Sequence, residues 1–215
     1  YDIATNTYTP KATTPIIEEY RTKVQPGDIK YVDIDGDGKI TPTEDRCYIG
    51  SAIPRYNYTI GLNAAWRGID FSLFLQGVGK CDGYIGGMGR HAFTELANYP
   101  QKAHLDRWTW ENQNPHASYP RFTYDETYNR DEFSSFWLED ASYLRVKNLQ
   151  VGYTVPRKGI ISKMHIENVR IYFSCENLWT FTDFFSSYDP EIPVSSGGYY
   201  PITASYSLGL SITFK

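Results

Sequence analysis

The segment between residues 33 and 44 has the residue types and spacing of a calcium-binding loop. Asp33, Asp35 and Asp37 alternate along the chain, Gly38 follows them, and Glu44 closes the pattern. Carboxylates at every second position can converge on one hard cation, the glycine allows a sharp turn, and the final glutamate can bind bidentately. A backbone carbonyl and a side chain often bridged by water complete such a site. The sequence therefore predicts a structural Ca²⁺ site whose ligands are Asp33, Asp35, Asp37, Lys39, Thr41 and Glu44.

The residues on either side of this loop differ from those of an EF-hand. The preceding run GDIKYV is strand-like rather than helical, and Pro42 interrupts the chain after Thr41. The alternative interpretation is an acidic, glycine-rich loop of solvated turns that holds no ion. If an ion binds, we expect it to stiffen the loop rather than to take part in chemistry.

Aromatic side chains in two irregular segments are the weaker candidates for contact with a ligand. Trp108 and Trp110 lie in one segment, and Tyr199 and Tyr200 lie in the other. Aromatic rings can stack on the apolar faces of sugars, but they can equally pack within a loop or against a partner. The four histidines are isolated, and no set of nucleophile, base and acid is recognisable. We therefore expect no enzymatic activity.

Composition excludes several classes of protein. The chain has 215 residues, a formal net charge of −4 and an aromatic fraction of 16%. No basic field is present to hold a phosphate backbone, so we expect no nucleic-acid binding. No stretch approaches the ~20 apolar residues of a membrane-spanning helix. Cys47, Cys81 and Cys175 are widely separated and form neither a disulfide framework nor a zinc motif; one bridge among them is neither predicted nor excluded.

Alternation of apolar and polar residues predicts five strands that must position these loops. The strands are expected at 55–66, 69–79, 142–155, 168–178 and 204–214. A tight turn at Arg67-Gly68 joins the first two strands, and a phase slip near Lys147-Asn148 indicates a β-bulge. The irregular region 80–140 allows a short helix at 91–107, and 179–202 is expected to be a loop.

Three features favour a transmembrane barrel over a soluble β-sandwich. Several strands have ten or more residues, whereas globular strands usually have about 5–6 and spanning strands about 9–11. The polar faces of the first and last strands carry Asn, Thr, Ser and Gly with almost no Lys or Glu. Aromatic residues lie at the ends of the apolar faces, as in the interfacial girdles of membrane barrels. Short and long connections also alternate, as periplasmic turns and outer loops do.

Longer motifs resemble one family. The runs GDIKYVDIDGDGKITPTED (27–45), IGSAIPRYNYTIGLNAAWRGIDFSLFLQGVG (49–79), RWTWENQNP (107–115), YPRF (119–122), SFWLEDASYLRVKNLQVGYTVP (135–156) and the tail SLGLSITFK are similar to the C-terminal part of SusC/RagA-type TonB-dependent transporters. This resemblance covers about residues 27–215. It implies a 22-strand outer-membrane barrel with an internal plug, and a SusD-like surface lipoprotein as a lid. It also implies TonB-driven import of oligosaccharides or peptides.

The expected fold is therefore all-β, with about five C-terminal strands of a large antiparallel transmembrane β-barrel and long extracellular loops. Residues 1–54 are expected to form an extracellular loop that carries the acidic segment 33–44, and residues 55–215 the barrel strands and further loops. Five strands cannot close a barrel, because both edges would remain unpaired in lipid. We expect the rest of the barrel and the plug to complete the fold, TonB to act through the missing N-terminal part, and outer-membrane lipid to surround it. The alternative is a secreted, calcium-stabilised, all-β carbohydrate-binding module.

Overall fold

A computed structural model of the chain describes most of its length. The described residues are 10–11, 13–21, 23–87, 90–93, 99–123, 128–131, 133–157, 165–185, 188–192 and 200–214. The chain divides into two compact units, each assembled from separated segments. The first unit comprises Tyr1–Gly50, Tyr84–Leu138 and Val194–Tyr199, and the second comprises Ser51–Gly83, Glu139–Pro193 and Tyr200–Lys215. The predicted division at residue 54 stays a prediction.

Within the described residues, seven strands form two sheets, and helix is scarce. The strands are β1 Tyr56–Trp66, β2 Ile69–Gly79, β3 Asp82–Tyr84, β4 Leu138–Asp140, β5 Tyr143–Thr154, β6 Ile166–Thr182 and β7 Ser205–Phe214. β1, β2, β5, β6 and β7 form one antiparallel sheet in that order, and the short β3 and β4 pair with each other. Among the described residues, the helical elements are one four-residue helix, α1 Tyr128–Asp131, and 3-10 turns at Glu18–Tyr20, Lys102–Leu105 and Ser135–Trp137.

β1 and β2 form the hairpin that the alternation predicts. Their register is unbroken from Trp66 opposite Ile69 to Tyr56 opposite Gly79. Arg67 and Gly68 occupy the turn with φ values of 49° and 88°. Positive φ at both central residues is the geometry that matches the right-handed twist of a two-residue hairpin. The predicted turn is confirmed.

Residues that lie opposite each other across the sheet share a face, which separates apolar from polar side chains. One row across all five strands is entirely apolar: Ala64, Phe71, Val151, Phe173 and Leu208. The adjacent row is entirely polar: Asn63, Ser72, Gln150, Ser174 and Ser207. We call the two sides the apolar face and the polar face of the sheet. This separation holds over most of the five strands, although Phe74 lies on the polar face between Gly61 and Asn148.

The apolar face is not covered by any part of the chain that the structure describes. Trp66 is 67% exposed, Leu208 79% and Leu210 61%. A soluble sandwich would bury this face against a second sheet about 10 Å away. Contiguous apolar surface of this kind marks a membrane or a protein interface.

Bulges in β5 and β6 change the phase of the alternation. The pairing of β5 with β2 and with β6 shifts between Val146 and Asn148, which leaves Lys147 as the extra residue. This confirms the predicted bulge. In β6, Asn177 adopts φ of 51° within the same irregularity. The strand continues to Thr182 because its last residues pair with the start of β5, so the predicted end at residue 178 is wrong.

The region between β2 and β5 is irregular, as predicted, but the helix expected at 91–107 is wrong in its described part. Residues 99–107 hold only the 3-10 turn Lys102–Leu105, and residues 94–98 lie outside the described residues. The side chain of Gln101 and that of His104 cap this turn reciprocally. No helix among the described residues has the length and apolar character to cross a membrane.

The first unit has its own buried side chains, in two clusters. One contains Ile16, Ile17, Tyr20, Ile40 and Tyr128, and the other contains Ile29, Tyr119 and Trp137. Ile40 belongs to the acidic loop, so the apolar residue that follows the acidic turn anchors that loop to the first cluster.

Candidate functional site

Three carboxylates of the acidic loop converge. Oxygen atoms of Asp33, Asp35 and Asp37 lie within 4.8 Å of one another. Their even spacing and the turn at two glycines bring them together, since Gly36 and Gly38 have φ values of 81° and 86° that favour glycine. Hard cations such as Ca²⁺ prefer such oxygen ligands. These three residues are the part of the predicted ligand set that the structure places together.

Backbone amides already use part of the carboxylate oxygens. The two oxygens of Asp33 accept hydrogen bonds from the amides of Gly36 and Gly38, at 2.7 and 2.8 Å. Asp35 accepts from the Asp37 amide at 3.1 Å, and Asp37 accepts from the Lys39 amide at 2.8 Å. Each oxygen has a second lone pair, so these bonds leave acceptor capacity for a cation.

The fourth predicted carboxylate, Glu44, is not among the three that converge. One of its oxygens accepts a long hydrogen bond from the Thr41 hydroxyl, at 3.4 Å. The Lys39 amide donates to Asp37, and binding through the Lys39 carbonyl and through Thr41 stays a prediction. The converged set is thus three of the four predicted carboxylate ligands.

Asp45, which the motif does not include, closes the loop. Its two carboxylate oxygens accept from the amides of Ile34 and Thr41, at 2.7 and 2.6 Å. It therefore ties the start of the acidic segment to its end. The sequence signal for this role is a second carboxylate directly after Glu44, which spacing alone assigns to solvent.

The pKa values of two carboxyls reflect these contacts. Hydrogen bonds from the amides of Thr41 and Ile34 lower the pKa of Asp45. The amide of Asp37 lowers the pKa of Asp35, but desolvation and the adjacent acidic side chains together outweigh it, so the Asp35 pKa is raised. The crowding of negative charge at Asp35 is what a bound cation would relieve.

The acidic loop also forms one wall of a cleft of about 960 Å³ in the first unit. Ile34, Thr41 and Asp45 line this wall, and the extended segments 28–32 and 46–50 continue it. Phe133 and Phe136 contribute apolar surface, and they are 68% and 39% exposed. The conformation of the acidic loop therefore determines the shape of one side of this cleft.

The predicted aromatic candidates have different surroundings. Trp108 lies flat on the backbone of Gly27, where a Cβ would come within 2.3 Å of the indole ring. Trp110 meets Trp108 edge-on at a centroid distance of 5.2 Å and is 54% exposed. Tyr200 is 83% exposed, whereas Tyr199 lies outside the described residues. Trp108 thus serves packing, while Trp110 and Tyr200 present rings to their surroundings.

Charged pairs on the polar face of the sheet were not recognised from the sequence. Arg170 of β6 spans β5 to reach Asp70 of β2, with its Nε 2.9 Å from the carboxylate, and also contacts Gln150. Gly152 lies between them, and a Cβ there would come within 2.6 Å of both charged groups. The residues are 100 positions apart, so only the strand register brings them together.

Comparison with known sequences relates the chain to TonB-dependent receptors. It is 30% identical over 206 residues to TonB-dependent receptor P3 of Formosa agariphila, a match that covers 88% of this chain and 19% of the relative. It is 31% identical over 205 residues to TonB-dependent receptor P26 of the same organism, covering 87% and 20%. The chain thus spans about a fifth of the length of these relatives. No protein-family model matches it.

Comparison with solved structures gives the same relationship for the fold. The chain superposes on the RagAB peptide transporter with a TM-score of 0.65 and 23% identity, covering 87% of this chain and 20% of that one. For the RagAB peptide importer in the "open-open" state the TM-score is 0.61 with 22% identity, covering 86% and 20%. The five-stranded sheet is similar to part of the wall of these proteins.

Proposed function

This chain is a C-terminal part of a TonB-dependent receptor of the SusC/RagA type, and we propose that the complete receptor imports oligosaccharides or peptides across the outer membrane. In this proposal β1, β2, β5, β6 and β7 are wall strands. Their apolar face contacts lipid and their polar face lines the lumen, which holds the plug. Energy comes from the inner membrane through TonB, which acts on a part of the receptor outside this chain.

The observation that carries this proposal is the uncovered apolar face beside an orderly polar one. Rows of apolar residues run across five strands and remain exposed in the described part of the chain, as the row Ala64, Phe71, Val151, Phe173 and Leu208 illustrates. Lipid is the surroundings in which such a face is stable without a second sheet. The secreted carbohydrate-binding module would need that second sheet.

The proposed importer has a partner and a class of cargo. We propose a SusD-like surface lipoprotein as the partner, in agreement with the similarity to the RagAB peptide importer. That similarity supports import of peptides, and the exposed rings of Trp110 and Tyr200 support import of oligosaccharides. The two cargo classes are alternatives that uptake measurements separate.

The test of import compares cells that contain the complete receptor with cells that lack it. We expect uptake of labelled oligosaccharides or of labelled peptides to require both the receptor and a functional TonB complex. If receptor-deficient cells lose uptake of one class and keep uptake of the other, the lost class is the cargo. Unchanged uptake of both classes in receptor-deficient cells would reject the proposal.

We also propose that the acidic loop binds one structural Ca²⁺ ion through Asp33, Asp35 and Asp37. Lys39, Thr41 and Glu44 complete the site when the loop closes around the ion. The support is the convergence of three carboxylates and the raised pKa of Asp35. The ion would stiffen the wall of the cleft described above.

Calorimetric titration of the calcium-depleted complete receptor tests this site. We expect one bound ion with a dissociation constant on the order of 10⁻⁴–10⁻³ M, the range of extracellular modules. The D33N/D37N variant should lose this binding, whereas D106N, which removes an exposed loop carboxylate that bonds Ser118, should retain it. Equal binding by D33N/D37N and the unaltered receptor would count against the loop as the site.

A further inference from the structure

Arg145 of β5 is buried although it projects from the polar face. It lies in a row with Thr59, Gln76 and Thr180, the polar partners that the strand register places beside it. Thr59 is exposed, yet Arg145 is only 1% exposed. An arginine on a face that lines an aqueous lumen would be solvated if nothing covered it. The burial of Arg145 therefore depends on a segment of the chain that covers it.

The covering segment is 188–192, which lies in the connection between β6 and β7. The Arg145 Nη1 donates to Glu191 at 2.9 Å and its Nη2 donates to Asp189 at 2.5 Å. The Nε donates to the Thr180 hydroxyl of β6 at 2.8 Å. All three guanidinium nitrogens thus donate hydrogen bonds. Two of them bond the connection between β6 and β7, and the third bonds the sheet.

A second cation strengthens this contact. Lys147, the bulge residue of β5, lies 3.1 Å from the same Glu191 oxygen that Arg145 contacts. The four groups balance, with two cations on β5 and two carboxylates on the segment. The Asp189 carboxylate also accepts from the Glu191 amide, at 2.9 Å, which fixes the turn that presents both carboxylates.

Burial makes the loss of any single partner of this network costly. A buried ion pair contributes little when it replaces apolar packing, but removal of one partner leaves an uncompensated charge and is strongly unfavourable. Release of the segment would return two carboxylates and two cations to water together. The contact is therefore stable while complete, and any single neutralisation weakens all of it.

We propose that segment 188–192 is a strap that Arg145 and Lys147 hold against the polar face, so that it covers the lumenal wall near the long-connection end of β5. While the strap is held, its two carboxylates balance the charges of Arg145 and Lys147. When the strap is released, the wall presents these two cations to the path that cargo follows. The lumenal position of the strap rests on the proposed function, whereas its attachment to β5 does not.

Hydrogen–deuterium exchange of the complete receptor in detergent tests the attachment. In the R145M variant we expect the amides of residues 191 and 192 to exchange about tenfold faster or more, because loss of the buried cation frees the strap. The D189N/E191Q variant leaves the sheet unaltered and should give the same increase at Ile192, whose amide donates to the Asp189 backbone carbonyl and not to a substituted side chain. It decides the question if R145M does not fold.

The matched control is R170M. It also removes an arginine from an ion pair on the polar face, but that pair, with Asp70, does not touch the strap. Exchange at 191 and 192 should stay at the level of the unaltered receptor. Unchanged exchange in D189N/E191Q, or an equal increase in R170M, would overturn the proposal.

A separate readout distinguishes this proposal from that of import. Thiol reagents restricted to water should modify cysteines placed at 207 and 211 but not at 208 if the polar face lines the lumen. Protection of the strap together with the reverse labelling pattern would reject the lumenal placement and the import proposal, and would retain the attachment of the strap.

Discussion

Gly77 of β2 lies where no side chain fits. A Cβ at this position would come within 2.5 Å of both the backbone carbonyl oxygen of Tyr143 and the ring of Tyr58. The Tyr58 hydroxyl crosses this glycine to donate to the same carbonyl, at 3.2 Å. We expect G77A to destabilise the complete receptor by about 1–3 kcal/mol, the range for overpacking, because backbone atoms cannot move aside. Calorimetric unfolding measures the change.

The control for this substitution is Gly61 in the neighbouring strand. A Cβ there meets no atom within 4 Å. G61A should be neutral or slightly stabilising, since alanine loses less backbone entropy than glycine. Equal destabilisation by both substitutions would mean that strand propensity, rather than the close approach of Tyr58, explains Gly77.

His104 makes the first unit sensitive to acid. Its Nδ1 accepts from the Gln101 amide at 2.8 Å, and its ring packs edge-on against Tyr119. Burial lowers the pKa of His104; the Arg90 backbone opposes this shift and the charge of Arg107 adds to it. The folded chain therefore resists protonation while the unfolded chain, with a pKa of about 6.5, accepts it. The contribution of His104 to the free energy of unfolding is complete at pH values above the pKa of the unfolded chain. It decreases as the pH is lowered through that pKa.

Amide exchange in residues 101–107 measures this effect. We expect protection to decrease between pH 7 and pH 5 in the unaltered receptor, after correction for intrinsic exchange. H104Q should lower protection at pH 7 and remove its dependence on pH, whereas substitution of the exposed His116 should leave the dependence intact. A pH dependence that persists in H104Q would assign the titration to another group.

The site residues show what spacing can and cannot predict. Asp33, Asp35 and Asp37 converge as their alternation implies, since that convergence depends only on local turn geometry. Asp45 closes the loop through amides that precede it by eleven and four residues, and no motif encodes such bonds. The contact of Arg170 with Asp70 depends on the register of three strands, and the contacts of Arg145 depend on the position of segment 188–192; a single sequence provides neither.

At the scale of the element, β7 offers the cleanest test of the two faces. Leu210 lies opposite Ile171 on the apolar face and is 61% exposed. We expect L210R to destabilise the receptor by about 2–4 kcal/mol if the residue lies near the bilayer midplane, because charge on the lipid face is costly there. Equilibrium unfolding from lipid vesicles measures the loss.

The control in the same strand is S207R. Ser207 lies opposite Ser174 on the polar face, so its substituent projects towards water in the lumen and meets no like charge directly opposite. We expect a change well below that of L210R. A larger loss for S207R than for L210R would reverse the assignment of the faces.

Strand bounds were predicted to within one residue for β1, β2, β5 and β7. For β5 this holds despite the bulge, because the phase slip near Lys147 is visible in the sequence. β6 extends four residues beyond its predicted end, since Asn177 shifts the phase and its last pairs depend on β5. The short helix that the sequence allows at 91–107 is reduced, in its described part, to the 3-10 turn Lys102–Leu105.

At the scale of the whole molecule, the sheet has two open edges among the described residues. β1 pairs only with β2, and β7 pairs only with β6. In lipid each unsatisfied backbone group costs several kcal/mol, so strands of 11 and 10 residues cannot remain unpaired there. We expect β1 and β7 to pair with further strands of the receptor. Their outward amides should be protected from exchange in the complete receptor and unprotected in residues 1–215 alone.

The measurement that tests the account most directly is a spin-label scan of β7 positions 205, 207, 208, 210, 211 and 212 in the complete receptor, reconstituted in lipid vesicles. The account predicts that labels at 208, 210 and 212 collide with oxygen dissolved in lipid. Labels at 205, 207 and 211 should instead collide with a water-soluble nickel chelate. Alternation with a period of two, in this phase, places the apolar face in the bilayer and the polar face in the lumen. Nickel accessibility at 208 and 210, or an absence of alternation, would contradict the assignment of these strands to a membrane barrel.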